Sequence, residues 1–240
     1  GRQSEVRPKP VAPEPEPTPL QKFRFAWSDQ FGAATPSADT RATLSRLVAT
    51  LQDHGAYAER IEPTIDFDSV WRTWGEIAAA EIASPMPFVY RYGRWMQLLL
   101  MQDRSPGQKG MMRGIRLSTR DFARAQAQRD EIVHAVDKVL GPFDAWLCPV
   151  TRTPPFGHRK PGKDIEVGGQ PGSYFLTTAG YTTPFSVSGH PVVVIPVGRS
   201  KTRLPIGLQV VGHRWRDEQL LNVAAALDEL VGSLQTPPGY

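Results

Sequence analysis

Hydrophobic positions fall in short β-branched runs and in longer stretches with helical spacing, and the alternation of the two predicts an α/β chain. Val192 to Val197 and Ile206 to Val211 read as two buried strands. The loop Arg199 to Pro205 between them is too short for a parallel crossover and suits an antiparallel return. After Gly212 the chain turns polar, and Leu220, Leu221, Val223, Ala224, Leu227, Leu230 and Val231 then recur at helical spacing, which predicts a terminal amphipathic helix.

Upstream, Phe23 to Trp27 is a short apolar run. A helix opening at Ser37 carries Leu44, Leu47, Val48 and Leu51 at i, i+3, i+4 and i+7, and Gly55 closes it. Ala56 to Ile61 returns as a strand, which makes a β-α-β unit whose right-handed crossover places both strands in one sheet. Asp66 caps a helix bearing Phe67, Val70, Trp71, Trp74, Ile77 and Ala78. A second, aromatic-rich helix runs from Phe88 to Met101, after the turn Ser84 to Pro87.

Large aromatics dominate core burial, so Trp71, Trp74 and Trp95 are expected in the core; the sharper alternative has one of them lining a pocket. Arg104 to Arg116, with Gly107, Gly110 and Gly114, reads as a mobile loop. Thr119 caps a long helix with Phe122, Ile132, Val136, Val139 and Leu140 inward, ended by Gly141 and Pro142. Asp144 to Cys148 is a strand. Pro149 to Tyr181, rich in Thr, Pro and Gly, carries no regular element, and irregular chain after an α/β strand is a usual place for ligand contacts.

Composition narrows the class. At 240 residues with a net charge of +4, the chain can bury a sizeable core, and its basic residues are scattered apart from Arg91/Arg94 and Arg113/Arg116/Arg120. A nucleic-acid face needs a concentrated basic stripe, so no nucleic-acid partner is expected. The lone Cys148 excludes an intrachain disulfide and multi-cysteine zinc sites, and fits a cytosolic protein. No apolar run reaches the length of a membrane span, so no membrane partner is expected. Residues 1–20, with prolines at 8, 10, 13, 15, 17 and 19, read as an extended linker or processed tail rather than a docking peptide, ahead of one domain over residues 21–240. Gly1 in place of an initiating Met suggests a processed or excised chain.

The chemical groups are sparse. Cys148 with His158 or His190 would make a thiol–imidazole pair, but a lone strand cysteine is better explained by packing. The five histidines show no ligand spacing, so neither a metal nor a cofactor is expected. The glycines of Val167 to Ser173 lack a Gly-Lys-Ser/Thr context and read as a flexible loop. Ser186 and Ser188 lie near His190, yet the elbow pattern Gly-x-Ser-x-Gly is absent.

Pro184-Phe-Ser-Val-Ser-Gly-His-Pro191, a strand ending in Pro-x-Gly, Leu204-Pro-x-Gly-Leu-Gln-x-Val-Gly212 and the Asp217-Glu-x-Leu-Leu221 helix start together resemble the C-terminal signature of the amidase-signature hydrolases. Phe23 to Trp27 with Ala38 to Ala42, and Phe143 to Pro149, are similar to earlier segments of that family, so the resemblance runs from about Phe23 to about Val231. It implies the C-terminal half of an amidase-signature fold, a mixed sheet flanked by helices and formed jointly by both halves. Two departures stand out. Ser186 occupies a position that is more often Asn in the family, where it caps the turn more weakly, and Val150 replaces a common Thr after Pro149.

The resemblance also implies amide hydrolysis through an acyl-enzyme, with a Ser nucleophile, a second bridging Ser and a Lys base on an upstream Gly/Ser-rich loop. No Gly-Gly-Ser-Ser-Gly run occurs here, and Lys22, Lys109, Lys138 and Lys201 precede no such loop, so no catalytic residue carries over. Thr151, Thr153, Thr183 and Phe185, at strand ends, are then the expected floor and wall of an acyl pocket for a small amide substrate. The Ser/Ser/Lys loop is then implied to lie on a missing upstream segment or on a second polypeptide, the implied partner, and without that half a sheet edge and an apolar helix face would stand exposed. An amidotransferase subunit or a non-catalytic scaffold are the alternatives.

Overall fold

The computed structural model describes residues 18–101 and 103–232, so most of the proline-rich segment lies outside the described residues. A short 3₁₀ turn, Leu20–Lys22, leads into β1 (Arg24–Trp27), α1 (Ala38–Asp53) and β2 (Tyr57–Arg60). The Ser37 hydroxyl accepts the Thr40 N–H at the start of α1, and β1 and β2 pair in parallel, as the β-α-β reading requires. Four helices follow: α2 (Phe67–Ala83), α3 (Phe88–Leu100), α4 (Pro106–Gly114) and α5 (Thr119–Leu140). Next come β3 (Ala145–Pro149), the hairpin β4 (Ile165–Val167) and β5 (Gln170–Gly172), and the short helices α6 (Tyr174–Ala179) and α7 (Thr183–Ser188). The chain then forms β6 (Val192–Arg199), β7 (Pro205–Val211) and α8 (Asp217–Val231).

The main sheet has the order β2-β1-β3-β7-β6. Its first three strands are parallel, and β7 runs antiparallel to both β3 and β6. One face packs under α1 and α8 through Leu44, Leu47, Leu51, Leu147, Leu208 and Val223. The other buries Trp71, Trp146, Phe31, Phe185, Val136 and Leu140 beneath α2, α5 and α7. β3 is buried along its whole length, because both layers cover it. Among the described residues no helix is long and apolar enough to cross a membrane.

Three expectations are corrected. Arg104 to Arg116 is not a loop: it contains α4, capped by Ser105. Its glycines do not break the helix but form its contact face. A Cβ at Gly110 would lie 2.2 Å from the Arg72 carbonyl oxygen and one at Gly114 2.4 Å from that of Glu76, while Gly75 on α2 faces the Gly107 carbonyl at 2.4 Å. Backbone-to-backbone contact of this kind repays the helical cost of glycine. Pro149 to Tyr181 is also not irregular throughout. Gly168 and Gly169, both at positive φ, form the two-residue turn between β4 and β5, and the Ser173 hydroxyl accepts the Leu176 N–H to start α6. Finally, Ser118 rather than Thr119 caps α5, accepting the Asp121 N–H.

The buried carboxylate of Asp103 clasps these elements. It accepts the Ser105 N–H at 2.8 Å, the Ser173 hydroxyl at 2.9 Å and the Phe175 N–H at 2.6 Å, tying the starts of α4 and α6 together. Of the three tryptophans expected in the core, Trp71 is fully buried, whereas Trp74 is half-buried against Phe175 and Trp95 half-buried on α3. Most of α3 faces outward, with Phe88, Val89, Tyr90 and Leu100 all more than two-thirds exposed.

Candidate functional site

The carboxyl ends of parallel strands are where α/β sheets leave a crevice, because the chain diverges from the sheet there. Here β2, β1 and β3 end side by side. The segment after β1 is held down by Ser28, whose N–H donates to the Leu147 carbonyl and whose hydroxyl accepts the Trp146 indole N–H at 2.8 Å. The Tyr181 hydroxyl contacts the carbonyl oxygens of Asp29 at 2.6 Å and Ala34 at 2.8 Å, and burial pushes its acidity far out of reach. The segment after β3 is held by Arg152, which donates to the Thr35 carbonyl at 2.7 Å. The Gln209 amide donates to the carbonyls of Pro149 at 2.8 Å and Tyr181 at 3.0 Å. Backbone groups that would otherwise be stranded under this rim thus find partners in the sheet or the layer below.

A cleft of about 340 Å³ opens at this end between the chain after β1 and the chain after β2. Ser28, Asp29, Arg60, Ile61, Glu62 and Phe67 are among its lining residues. The nearly buried carboxylate of Asp29 sits between two guanidinium groups, Arg41 at 2.7 Å and Arg60 at 2.9 Å. Such a doubly paired carboxylate fixes its loop and keeps the wall polar, while Ile61, Ile65 and Phe67 supply an apolar side.

The four residues expected at the pocket occupy two levels. Thr151 and Thr153 lie half-buried on the rim beyond β3, with the Thr151 hydroxyl donating to the Thr153 carbonyl at 2.7 Å. Thr183 and Phe185 lie beneath, each 2% exposed. The Thr183 hydroxyl donates to the Ala179 carbonyl, and the Phe185 ring meets Trp146 edge-on at 5.4 Å. None of the four lines the Asp29 cleft. The residues that do were missed in the sequence, where the available signal was a polar Ser28-Asp29 pair directly after a parallel strand.

Ser188 and His190 do pair, and Asp137 completes a chain. The Ser188 hydroxyl is 2.8 Å from Nδ1 of His190, and Nε2 is 3.1 Å from Asp137, whose other oxygen accepts from Arg214 at 3.2 Å. This is the order of groups in a Ser-His-Asp hydrolase. Ser188 and His190 are only 1% and 5% exposed, however, so the chain here is a buried tie from α5 to the start of β6. Burial lowers the His190 pKa, against the pull of Asp137, and keeps the ring neutral. Asp137 lay too far away in sequence to be found.

Ser186 sits within helix α7 and donates to the Thr182 carbonyl, so it does not cap a turn. Cys148 is fully buried and its thiol is pushed well up by desolvation, as packing rather than nucleophilic chemistry requires. Among the described residues no group of three or more His, Cys, Asp or Glu side chains could hold a metal ion.

The Amidase family model matches residues 2–221. A fatty acid amide hydrolase from Medicago truncatula is 32% identical over 123 residues, 49% of this chain and 19% of that protein. A glutamyl-tRNA(Gln) amidotransferase subunit from Alkaliphilus metalliredigens is 26% identical over 215 residues, 82% of this chain and 42% of that protein. Among solved structures, a crystal structure of an amidase superposes with a TM-score of 0.69 at 22% identity, covering 90% of this chain and 47% of its own. A fatty acid amide hydrolase superposes at 0.66 and 16%, covering 95% and 42%. The chain therefore spans less than half the length of these relatives. With its mixed sheet, its helical layers and a family match over most of its length, the chain belongs to the amidase family of amidase-signature hydrolases.

Proposed function

We propose that this chain supplies the scaffold and part of the acyl pocket of a hydrolase acting on linear amide bonds, whose Ser/Ser/Lys loop lies outside this sequence, on an upstream segment or on a partner chain. One observation carries this reading: the family match extends over residues 2–221, the chain spans less than half the length of each relative above, and the sequence contains no Gly/Ser-rich loop with an associated Lys. In such a site the neutral Lys amine takes the nucleophile's proton through the bridging Ser, and backbone N–H groups hold the oxyanion. The role left for this chain is to seat the substrate. Thr151 and Thr153 provide the rim, with Thr183 and Phe185 buried beneath it as the floor. The long match to an amidotransferase component favours, as the second reading, an amidase half that releases ammonia for another site.

Intact mass spectrometry of the protein from its own source, native and denaturing, tests the first reading. A Gly/Ser-rich loop, on one continuous chain or on a stoichiometric second polypeptide, in a protein that turns over an aryl amide and is labelled there by a fluorophosphonate, is the expected result. A folded lone chain that carries no such loop and binds no polypeptide that does overturns the reading. An intact complex that hydrolyses no amide leaves a scaffold instead.

A further inference from the structure

Arg91 and Arg116, one from each basic cluster of the sequence, meet Trp95 at a cleft that the proposed function leaves unused. α3 carries Phe88, Tyr92 and Trp95 at i, i+4 and i+7, so the three rings share one side of the helix. Of its apolar residues, Leu98 and Trp95 pack into a small core with Ala79, Ala83 and Ile115. Phe88 and Tyr92 stay 79% and 57% exposed. Between them and the end of α4 lies a cleft of about 520 Å³, larger than the one at Asp29 and of a size that takes a small molecule.

Rings and charges are arranged together in this cleft. The Tyr92 and Trp95 rings lie 6.0 Å apart at 31°. The Arg116 guanidinium stands over the Trp95 ring at 5.3 Å, and Arg91 is held by donating from Nη2 to the Ile115 carbonyl at 2.8 Å. Among the described residues neither guanidinium is in an ion pair, and Asp121, in the adjoining cleft, is already shared by Arg124 at 3.1 Å and Arg113 at 4.0 Å. Two cations without an anion beside an aromatic wall leave a place for a ligand's negative charge. All five methionines of the chain lie between positions 86 and 112, and Met101, Met111 and Met112 pack against the same small core as Trp95, a polarizable bed that adjusts to what binds above it.

We propose that this cleft binds a flat aromatic carboxylate, with its ring against Phe88, Tyr92 and Trp95 and its carboxylate shared by Arg91 and Arg116. The guanidinium fork matches a carboxylate in shape as well as charge, and both the guanidinium plane and the indole face accept a flat ring. The site shares no residue with the Thr151 rim or with the Asp29 cleft, so it stands whether or not the protein hydrolyses amides.

The probe is 2-naphthoate, titrated calorimetrically into the protein purified from its own source, beside its neutral counterpart 2-naphthylmethanol. Arg116→Gln and Tyr92→Ala, both at exposed positions, are the variants, and Arg216→Gln at the start of α8 is the control. Naphthoate binding is expected to weaken at least ~10-fold in each variant and to hold in the control, with the alcohol at least ~10-fold weaker than naphthoate on the wild-type protein. Hydrogen exchange locates the site without a variant: naphthoate should slow the amides of residues 88–95 and leave Thr151 to Thr153 unchanged. Absence of binding at millimolar naphthoate overturns the proposal, as does equal binding of the alcohol or full retention by Arg116→Gln. Protection at Thr151 in place of α3 moves the ligand to the candidate acyl pocket and overturns it too. Binding to phosphatidylglycerol vesicles that Arg116→Gln abolishes, with no naphthoate bound, assigns the face to a lipid surface instead.

Discussion

Gly110→Ala pits two effects of opposite sign against each other. An alanine inside a helix is intrinsically better than glycine by about 1 kcal/mol, so propensity alone stabilises the variant. At this position, however, the new Cβ would lie 2.2 Å from the Arg72 carbonyl oxygen and 2.9 Å from its carbon, both backbone atoms of α2. Ordinary contact requires roughly 3.5 Å, so α2 and α4 must separate by about an ångström. Gly75 and Gly114 sit in the same contact with similarly short approaches of 2.4 Å, so the helices cannot slide to a looser register. Overpacking of this kind costs about 1–3 kcal/mol and sometimes more, and separation also thins the packing of the residues flanking the contact.

We therefore expect a net loss of roughly 1–2 kcal/mol, about 2–8 °C in melting temperature for a chain of this size. Gly93→Ala on α3 is the control, since nothing lies within 4 Å of its added Cβ, and it should gain up to about 1 kcal/mol. Urea unfolding of the three proteins decides: the midpoint falls for Gly110→Ala and rises for Gly93→Ala at unchanged slope. A rise for both would refute the close-packed α2–α4 contact.

Asp103→Ala removes one carboxylate from three donors and should cost about 2–4 kcal/mol, read by the same urea titration, with amide protection lost first at Phe175. His190 has a folded pKa below its unfolded value, so its neutral form stabilises the protein above about pH 6.5, and that contribution is lost as pH falls through the folded value. His190 faces Asp137, Arg214 and His213, and His190→Gln should flatten the acid limb of a stability-versus-pH curve measured between about pH 4 and pH 8; an unchanged limb would refute the role. Cys148 should resist a thiol reagent in the native protein and react fully in denaturant, and rapid native labelling would contradict its burial.

The local chemistry of the chain was legible from residue order alone. The terminal hairpin, the β-α-β unit and the Asp66 cap depend on side-chain period, β-branching and capping groups, all of which act within a few residues. The family was legible for the same reason, because its signature lies in contiguous motifs around Gly189, Pro196 and Gly212. What the tertiary structure decided is every feature whose partner is distant in sequence. Gly107, Gly110 and Gly114 read as breakers because a missing side chain looks the same whether it frees a loop or admits a neighbour; only α2, earlier in the chain, for Gly110 and Gly114, and the Phe175 ring, later in it, for Gly107 make them contact positions. The Ser188–His190–Asp137 tie and the Asp103 clasp join groups 53 and 72 residues apart, beyond the reach of any periodicity. The cleft at Asp29 likewise exists only because β2, β1 and β3 end together, since a crevice belongs to the register of a sheet and not to any one strand.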